Sequence, residues 1–311
     1  MELKNFFTQI EPINFKINIG HKDHIVSIGS CFSTEIGNKL DQLGFNILVN
    51  PFGTLFNPIS TFNLILSSIE DHPISEEHIV YSNGLYYHYY WHSSVYGKSK
   101  EELTLNIKNI QNNVREKLKH SNYLILTFGT AIVHQIQSSI VSNCHKQDKR
   151  IFSKRFLTIE ELRTSFNHFN KVLLAFNPSI KILTTTSPIR HIKEGLVDNN
   201  RSKSILNVFN MHLTHLNTHV EYFPSYEIVL DVLRDYRFYK DDLIHPNDKA
   251  IDQVWNYFYD HIISPSSYTY ITLMKKYIQM QNHKVMFPES ELGKSFQLKK
   301  DQLYLEIQKL K

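Results

Sequence analysis

The sequence predicts an α/β protein: a three-layer α/β/α sandwich around a mostly parallel sheet, with a helical extension at its C-terminal end. Three observations lead there. Short apolar runs of strand length alternate with longer stretches in which apolar residues recur every three or four positions, as a parallel sheet covered by helices requires. The 311 residues are 41% hydrophobic and 13% aromatic, including 20 Phe and 17 Tyr, enough for one large core and too apolar for a disordered chain. From about residue 264 the composition turns charged and helical.

The first strand is "HIVSI" at 24–28, and the amphipathic "STEIGNKLDQL" after it predicts a helix starting near Ser33 or Thr34. "FNILV" at 45–49 is the second strand. The helical stretch "EELTLNIKNIQNNVREKLK" leads into "YLILTF" at 123–128, and "IEELRTSFNHFNKVLLAF" leads into "KILTTT" at 181–186. Continuous apolar runs of this kind suit strands buried on both faces. "GLYYHYYWH" at 84–92 and "AIVHQIQSSIVSNCH" break the alternation and read as insertions at the rim, the latter as a hairpin. A helical run covers 248–263, and "SPSS" then breaks the chain. The expected organisation is an α/β domain over 1–265 and a helical extension over 266–311, packed on the core, on a partner or on a second copy.

Composition also excludes several classes. A net charge of +4 supports neither a nucleic-acid scaffold nor a membrane-surface protein. No run reaches the roughly 18 to 20 apolar residues of a membrane span. "MELKNFFTQIEPINF" lacks the apolar centre of a secretory signal, and two cysteines make no disulfide framework. A cytoplasmic protein with free thiols is expected. Histidines number 17, with His88 and His92 on one face of a strand and His21 and His24 flanking the first strand. No helical His pair comes with a catalytic glutamate, and no cysteine pair has zinc spacing, so neither a metal nor a cofactor is expected.

Two constellations carry chemistry. Gly29-Ser30-Cys31 follows the first strand, where doubly wound sheets bind ligands. The glycine permits a tight turn, and a helix start beyond it aims N–H groups and the positive end of a dipole at the turn. That setting suits a developing negative charge; the competing reading is a turn of small residues that fit. In "YKDDLIHPND", Asp242 precedes His245 by three residues, so the carboxylate can hold one ring nitrogen and leave the other as a base. Pro246 suits the first turn of the helix that follows. Arg190 and His191 follow "KILTTTSP" at the same rim, where the Arg190 fork matches a carboxylate or phosphate, against the alternative of a surface ion pair.

These stretches resemble a known family. "IGSCFSTEIG" is similar to the motif that names the GSCFA domain family, a bacterial branch of the SGNH/GDSL hydrolase-like superfamily. The likeness continues through "NPFGTLFNP", "LTFGTA", "SNCHK", "TSPIRHIKEGLVDNNRSK" and "DYRFYKDDLIHPND", in that order, over roughly residues 20 to 262. Ser33 stands where the name motif has alanine.

The resemblance implies an SGNH-type fold and four site blocks. Register on Gly29 puts Cys31 over the superfamily's nucleophile; a shift of one residue would make it Ser30. Gly53 matches a glycine whose N–H serves an oxyanion hole. The third block departs from its pattern: Gly129-Thr130-Ala131 lacks the usual asparagine, so Asn50, Thr130 or His92 would have to donate instead. Asp242 and His245 match the fourth block fully. Asn143, Cys144, His145 and Lys146 belong to a family motif of undefined role, either site residues or a polar loop over the site.

The expected function is acyl transfer by an SGNH-like hydrolase, an esterase or O-acyltransferase, on a small-molecule or carbohydrate ester. Two other classes compete with it. One is a ligand-binding module that keeps the pocket without turnover. The other is a scaffold acting through the C-terminal helix.

Overall fold

The computed structural model describes residues 8–11 and 13–310; residues 1–7, part of the segment weighed above as a leader, lie outside them, as do Pro12 and Lys311. The chain runs β1 (His24–Gly29), α1 (Cys31–Gln42), β2 (Asn46–Val49), α2 (Pro58–Ile69), β3 (Ile79–Ser82), β4 (Leu85–His88), α3 (Lys100–Lys119) and β5 (Tyr123–Phe128). It continues with β6 (Ile132–Ile136), β7 (Ser139–Val141), β8 (Ser153–Phe156), α4 (Ile159–Phe176), β9 (Lys181–Thr186), α5 (Leu196–Leu216) and β10 (Val220–Tyr222). A short α6 (Ser225–Glu227) runs into a π-turn, followed by α7 (Asp248–Ile262), α8 (Tyr268–Asn282) and α9 (Glu291–Gln308).

The central sheet has the order β10-β9-β5-β1-β2, and all its pairings are parallel. The four strands read from the sequence are its members, and β10 is a fifth that three residues were too few to announce. Side chains alternate across the pleat. Val26, Ile28, Leu124, Leu126, Phe128 and Ile182 enter one core with residues of α2, α3, α4 and α5. Ile25, Tyr123, Ile125 and Leu183 enter the other, with residues of α1, α7, α8 and α9. These are the three layers the sequence predicts.

Two antiparallel insertions sit outside this sheet: the β3–β4 pair and a three-stranded β7-β6-β8 sheet, whose β6–β7 arm is the expected hairpin. Within the extension, Tyr270, Ile271, Leu303 and Ile307 are buried in the second core, and Tyr270 stacks on His21 at 4.2 Å.

Counting only central strands, the sheet order reverses between β1 and β5, because β2 lies on one side of β1 and every later strand on the other. Loops diverge at such a switch point and leave a crevice beyond the strand ends. Gly29 and Thr127–Phe128 end their strands there.

Candidate functional site

The turn after β1 is held by backbone bonds from three directions. Gly29 N–H donates to Asn50 Oδ1 at 2.8 Å, Ser30 N–H to Thr127 O at 3.1 Å, and Leu55 N–H to Gly29 O at 2.9 Å. Gly29 has φ +150°, and a Cβ there would lie 2.2 Å from Thr127 O, so only glycine allows β1 and β5 to approach this closely. Helix α1 begins at Cys31, two residues earlier than the sequence suggested, with Ser30 at the capping position and Ser33 N–H bonded to Ser30 O at 2.8 Å.

The two candidate nucleophiles fare differently. Ser30 is 1% exposed, and its hydroxyl caps nothing and has no hydrogen-bond partner. Cys31 occupies the first position of the helix and stays half-exposed, with one side against the second core. Its own N–H and that of Phe32 lie in the first turn, where no carbonyl one turn earlier accepts them. A thiol that solvent reaches is thus set beside two unoccupied backbone donors.

The candidate base is built from a loop of six residues. His245 Nδ1–H donates to Asp242 Oδ2 at 2.7 Å, while Asp242 Oδ1 accepts the N–H groups of Ile244 at 2.9 Å and His245 at 3.0 Å. The backbone N–H of His245, its ring N–H and the Ile244 N–H together hold the Asp242 carboxyl down at about 2. With Nδ1 taken, Nε2 is the free nitrogen. Leu243 adopts φ +56° to close the loop, and Lys240 N–H donates to His245 O at 2.8 Å. Asn247 caps α7 through Ala250 N–H at 3.2 Å, so Pro246 stands ahead of the cap rather than within the first turn.

Backbone and core contacts bring this loop to the strand ends. Arg190 N–H donates to Ile244 O at 3.3 Å, Ile244 and Cys31 pack against the same core, and Lys39 of α1 pairs with Asp252 of α7 at 2.8 Å. Among the described residues no hydrogen bond joins Cys31 to His245.

The expected oxyanion donors are mostly engaged elsewhere. Gly53 N–H donates to Asn50 O at 2.9 Å within a turn where Gly53 has φ +76°. Both Asn50 amide atoms position the nucleophile turn, Oδ1 on Gly29 and Nδ2 on Thr34 Oγ1 at 2.7 Å. The N–H groups of Gly129 and Thr130 both converge on Phe56 O, at 2.7 and 2.9 Å, and the Thr130 hydroxyl bonds Ser202 at 2.9 Å. These residues hold the site's walls, and the backbone N–H groups named here are engaged and not free for a ligand.

Two histidines remain. Ser94 N–H donates to His92 Nδ1 at 3.2 Å, so in the neutral ring Nε2 carries the proton; burial pushes its basicity down, which favours that neutral form. A Cβ on Gly53 would lie 2.6 Å from His92 Nδ1, so the ring sits directly over that turn. His191 Nε2 is buried without a partner, 3.2 Å from where a Gly129 Cβ would stand, its ring edge-on to Phe56 at 5.4 Å. Burial, then the charges of Lys203 and His245, press His191 down to about 3, so it is neutral near pH 7.

The 143–146 loop is a wall of the aromatic insertion. His145 stacks on Tyr87 at 4.8 Å and donates through Nε2 to His88 O at 3.0 Å, and Asn143 Oδ1 accepts His145 N–H at 2.9 Å. Burial pushes the Cys144 thiol up. Arg190 stands over the rings of Tyr239 at 5.0 Å and Tyr236 at 5.4 Å, without an acidic partner among the described residues, so the surface-pair alternative falls away.

Lys203 was missed by the sequence reading. It is 1% exposed and donates to Gly129 O at 2.6 Å and Ser187 O at 2.7 Å, tying the ends of β5 and β9 together. The signal was present in α5: Asn199, Ser202, Lys203, Leu206 and Asn210 fall on one helical stripe, and polar residues on a buried stripe mark a built site.

Comparison with curated proteins finds no match. Residues 24–258 match the GSCFA family, a span that contains the β1 turn, the Asn50–Gly53 turn, the β5 end, Arg190 and the Asp242–His245 loop, and the chain belongs to the GSCFA family.

Proposed function

We propose that this protein is an acyl-transfer enzyme of the SGNH-hydrolase type, an esterase or O-acyltransferase, with Cys31 as nucleophile and an Asp242–His245 base. The observation that carries the reading is the 2.7 Å contact from His245 Nδ1 to Asp242, which leaves Nε2 free at the rim where Cys31 is half-buried. A histidine with no catalytic task gains little from a carboxylate tied down by two backbone N–H groups.

His245 Nε2 takes the Cys31 proton as Sγ attacks the acyl carbonyl. The resulting oxyanion is received by the Cys31 and Phe32 N–H groups, with His92 Nε2–H as the side-chain donor from the opposite wall. The carbon–oxygen bond of the ester breaks, and the departing oxygen takes the proton back from His245. Water or an acceptor hydroxyl then gives its proton to His245 and attacks the thioester, which restores the thiol and releases an acid or a new ester. Ser30 serves as the turn's buried spacer.

Parallel labelling with a fluorophosphonate and with iodoacetamide, followed by peptide mapping and a panel of acyl esters, tests this. Label on Cys31 and turnover of at least one ester are expected. Label at neither residue, with no ester turned over, would leave the ligand-binding module. That second reading draws on the engaged Gly53, Gly129 and Thr130 N–H groups, which deprive the pocket of three backbone donors.

A further inference from the structure

A cavity of about 250 Å³ opens between the segment after β9, the first turns of α5 and the α6 turn, lined by Pro188, Arg190, Asn199, Asn200, Lys203 and Tyr226, among others. Two of its residues are cations, and no carboxylate is in its lining. We propose that this cavity is an anion pocket for a carboxylate or phosphate group, read by Arg190 and Lys203, and that the acyl substrate carries that anion. The second half rests on the acyl-transfer reading; the first does not.

Arg190 is the main argument. A guanidinium offers five N–H donors, and arginines held in a structure usually engage them. Among the described residues no ion pair or side-chain hydrogen bond involves Arg190. Its guanidinium carbon instead lies over the neighbouring rings of Tyr236 and Tyr239, whose centroids are 6.2 Å apart. A guanidinium held by aromatic contacts and not by acceptors keeps its N–H donors available, and its fork matches bidentate anions.

Lys203 supplies the second charge. Two of its three ammonium protons go to Gly129 O and Ser187 O, which leaves one donor. Full burial brings it down to about 7, because no counter-charge offsets the desolvation. The acidic groups that act on Tyr226, Asp231 and Glu227, lie outside the lining, and Glu227 is engaged by the Tyr222 hydroxyl at 2.9 Å. A bound anion supplies the missing charge.

The position constrains the substrate. β9 and β1 flank β5, so their ends lie two strand spacings apart, about 10 Å. The substrate's anion then lies beyond a different strand end from its reacting carbonyl.

Calorimetric titration of the full chain with inorganic phosphate, and separately with acetate, at pH 6.5 tests the pocket. Saturable one-to-one binding of at least one anion is expected, weakened at least tenfold in Arg190→Gln and unchanged in Cys31→Ala. Phosphate alone binding identifies a phosphoryl group, and acetate alone a carboxylate. Because Lys203→Met risks misfolding, the Lys203 side-chain carbon resonance is followed instead, and its titration midpoint should move up when the anion is added. No saturable binding of either anion, or equal binding by Arg190→Gln, overturns the pocket. Anion binding with an unreactive Cys31 would retain the pocket and remove the acyl-transfer reading; an active Cys31 without anion binding would do the reverse.

Discussion

The proposed nucleophile turn and the proposed base loop stand at the same end of the sheet and are held in opposite ways. Residues 29–31 are placed from outside: Asn50 and Leu55 of the β2–α2 connection and Thr127 of β5 fix the turn through its backbone. Residues 240–245 are placed from within, since Asp242 bonds the Ile244 and His245 N–H groups and the His245 ring, and Lys240 closes the loop. The first arrangement makes position depend on the whole sheet. The second makes it depend on a few neighbours and leaves both side chains about 40% exposed, at 43% for Asp242 and 38% for His245. If the proposed roles hold, a self-contained base loop meets a nucleophile turn held by the sheet, and their hydrogen bond would form on the substrate.

The largest effect that would sharpen this contrast is chemical. On any ester the parent turns over, Cys31→Ala and His245→Ala should each lower kcat by about 10³-fold or more, and Asp242→Asn by about 10²- to 10⁴-fold. Ser30→Ala should keep the rate within about tenfold and leave stability within about 0.5 kcal/mol, because a buried hydroxyl without a partner contributes no bond to lose. A dead Ser30→Ala beside an active Cys31→Ala would exchange the two roles.

The next effect is structural. Gly29→Ala should cost about 3 kcal/mol of unfolding free energy, since its Cβ meets the β5 backbone at positive φ. Leu243→Gly relaxes the one left-handed residue of the base loop and should change stability by less than about 1 kcal/mol. Comparable losses in urea titrations of the two variants would break the distinction between a turn held from outside and a loop held from within.

A third effect separates the two regions by pH. Lys203, beneath the sheet end, is lowered to about 7 when folded against 10.5 as its ordinary value. Between those values the unfolded chain binds the proton that the folded chain does not, so this group makes stability rise with pH from about 7 to 10.5. Asp242 in the base loop is lowered to about 2 from 3.8, so its contribution is present above 3.8 and disappears as pH falls through about 2. Urea midpoints measured from pH 6.5 to 9.5 should carry the Lys203 rise, and an Asp242 carboxyl resonance should titrate near 2. A flat stability curve in the alkaline window would mean that Lys203 keeps its proton.

The smallest effect is kinetic selectivity between the thiols. Iodoacetamide at pH 7 should modify Cys31 faster than Cys144, whose thiol is pushed up by burial, by about tenfold. Faster modification of Cys144 would place the more reactive thiol in the insertion and not at the strand end.

The sequence by itself determined the layers and the Asp242–His245 contact. Four strands announced themselves because each is a strand-length run rich in apolar and β-branched residues, and such patterning is a local property. Asp242 and His245 were legible for the same reason: three residues of spacing suffice to bring a carboxylate to a ring nitrogen. The tertiary structure decided the rest. β10 has only three residues and exists because β9 pairs with it. α1 begins at Cys31 and not at Ser33 because bonds from Asn50 and Thr127, both distant in sequence, fix Gly29 and Ser30 in place. The same long-range pairing buries Ser30, leaves Cys31 half-buried, engages the N–H groups of Gly53, Gly129 and Thr130, and seats Lys203 under two strand ends. Which polar group is free depends on what every neighbouring segment has already bonded, and that accounting closes only once the chain is folded.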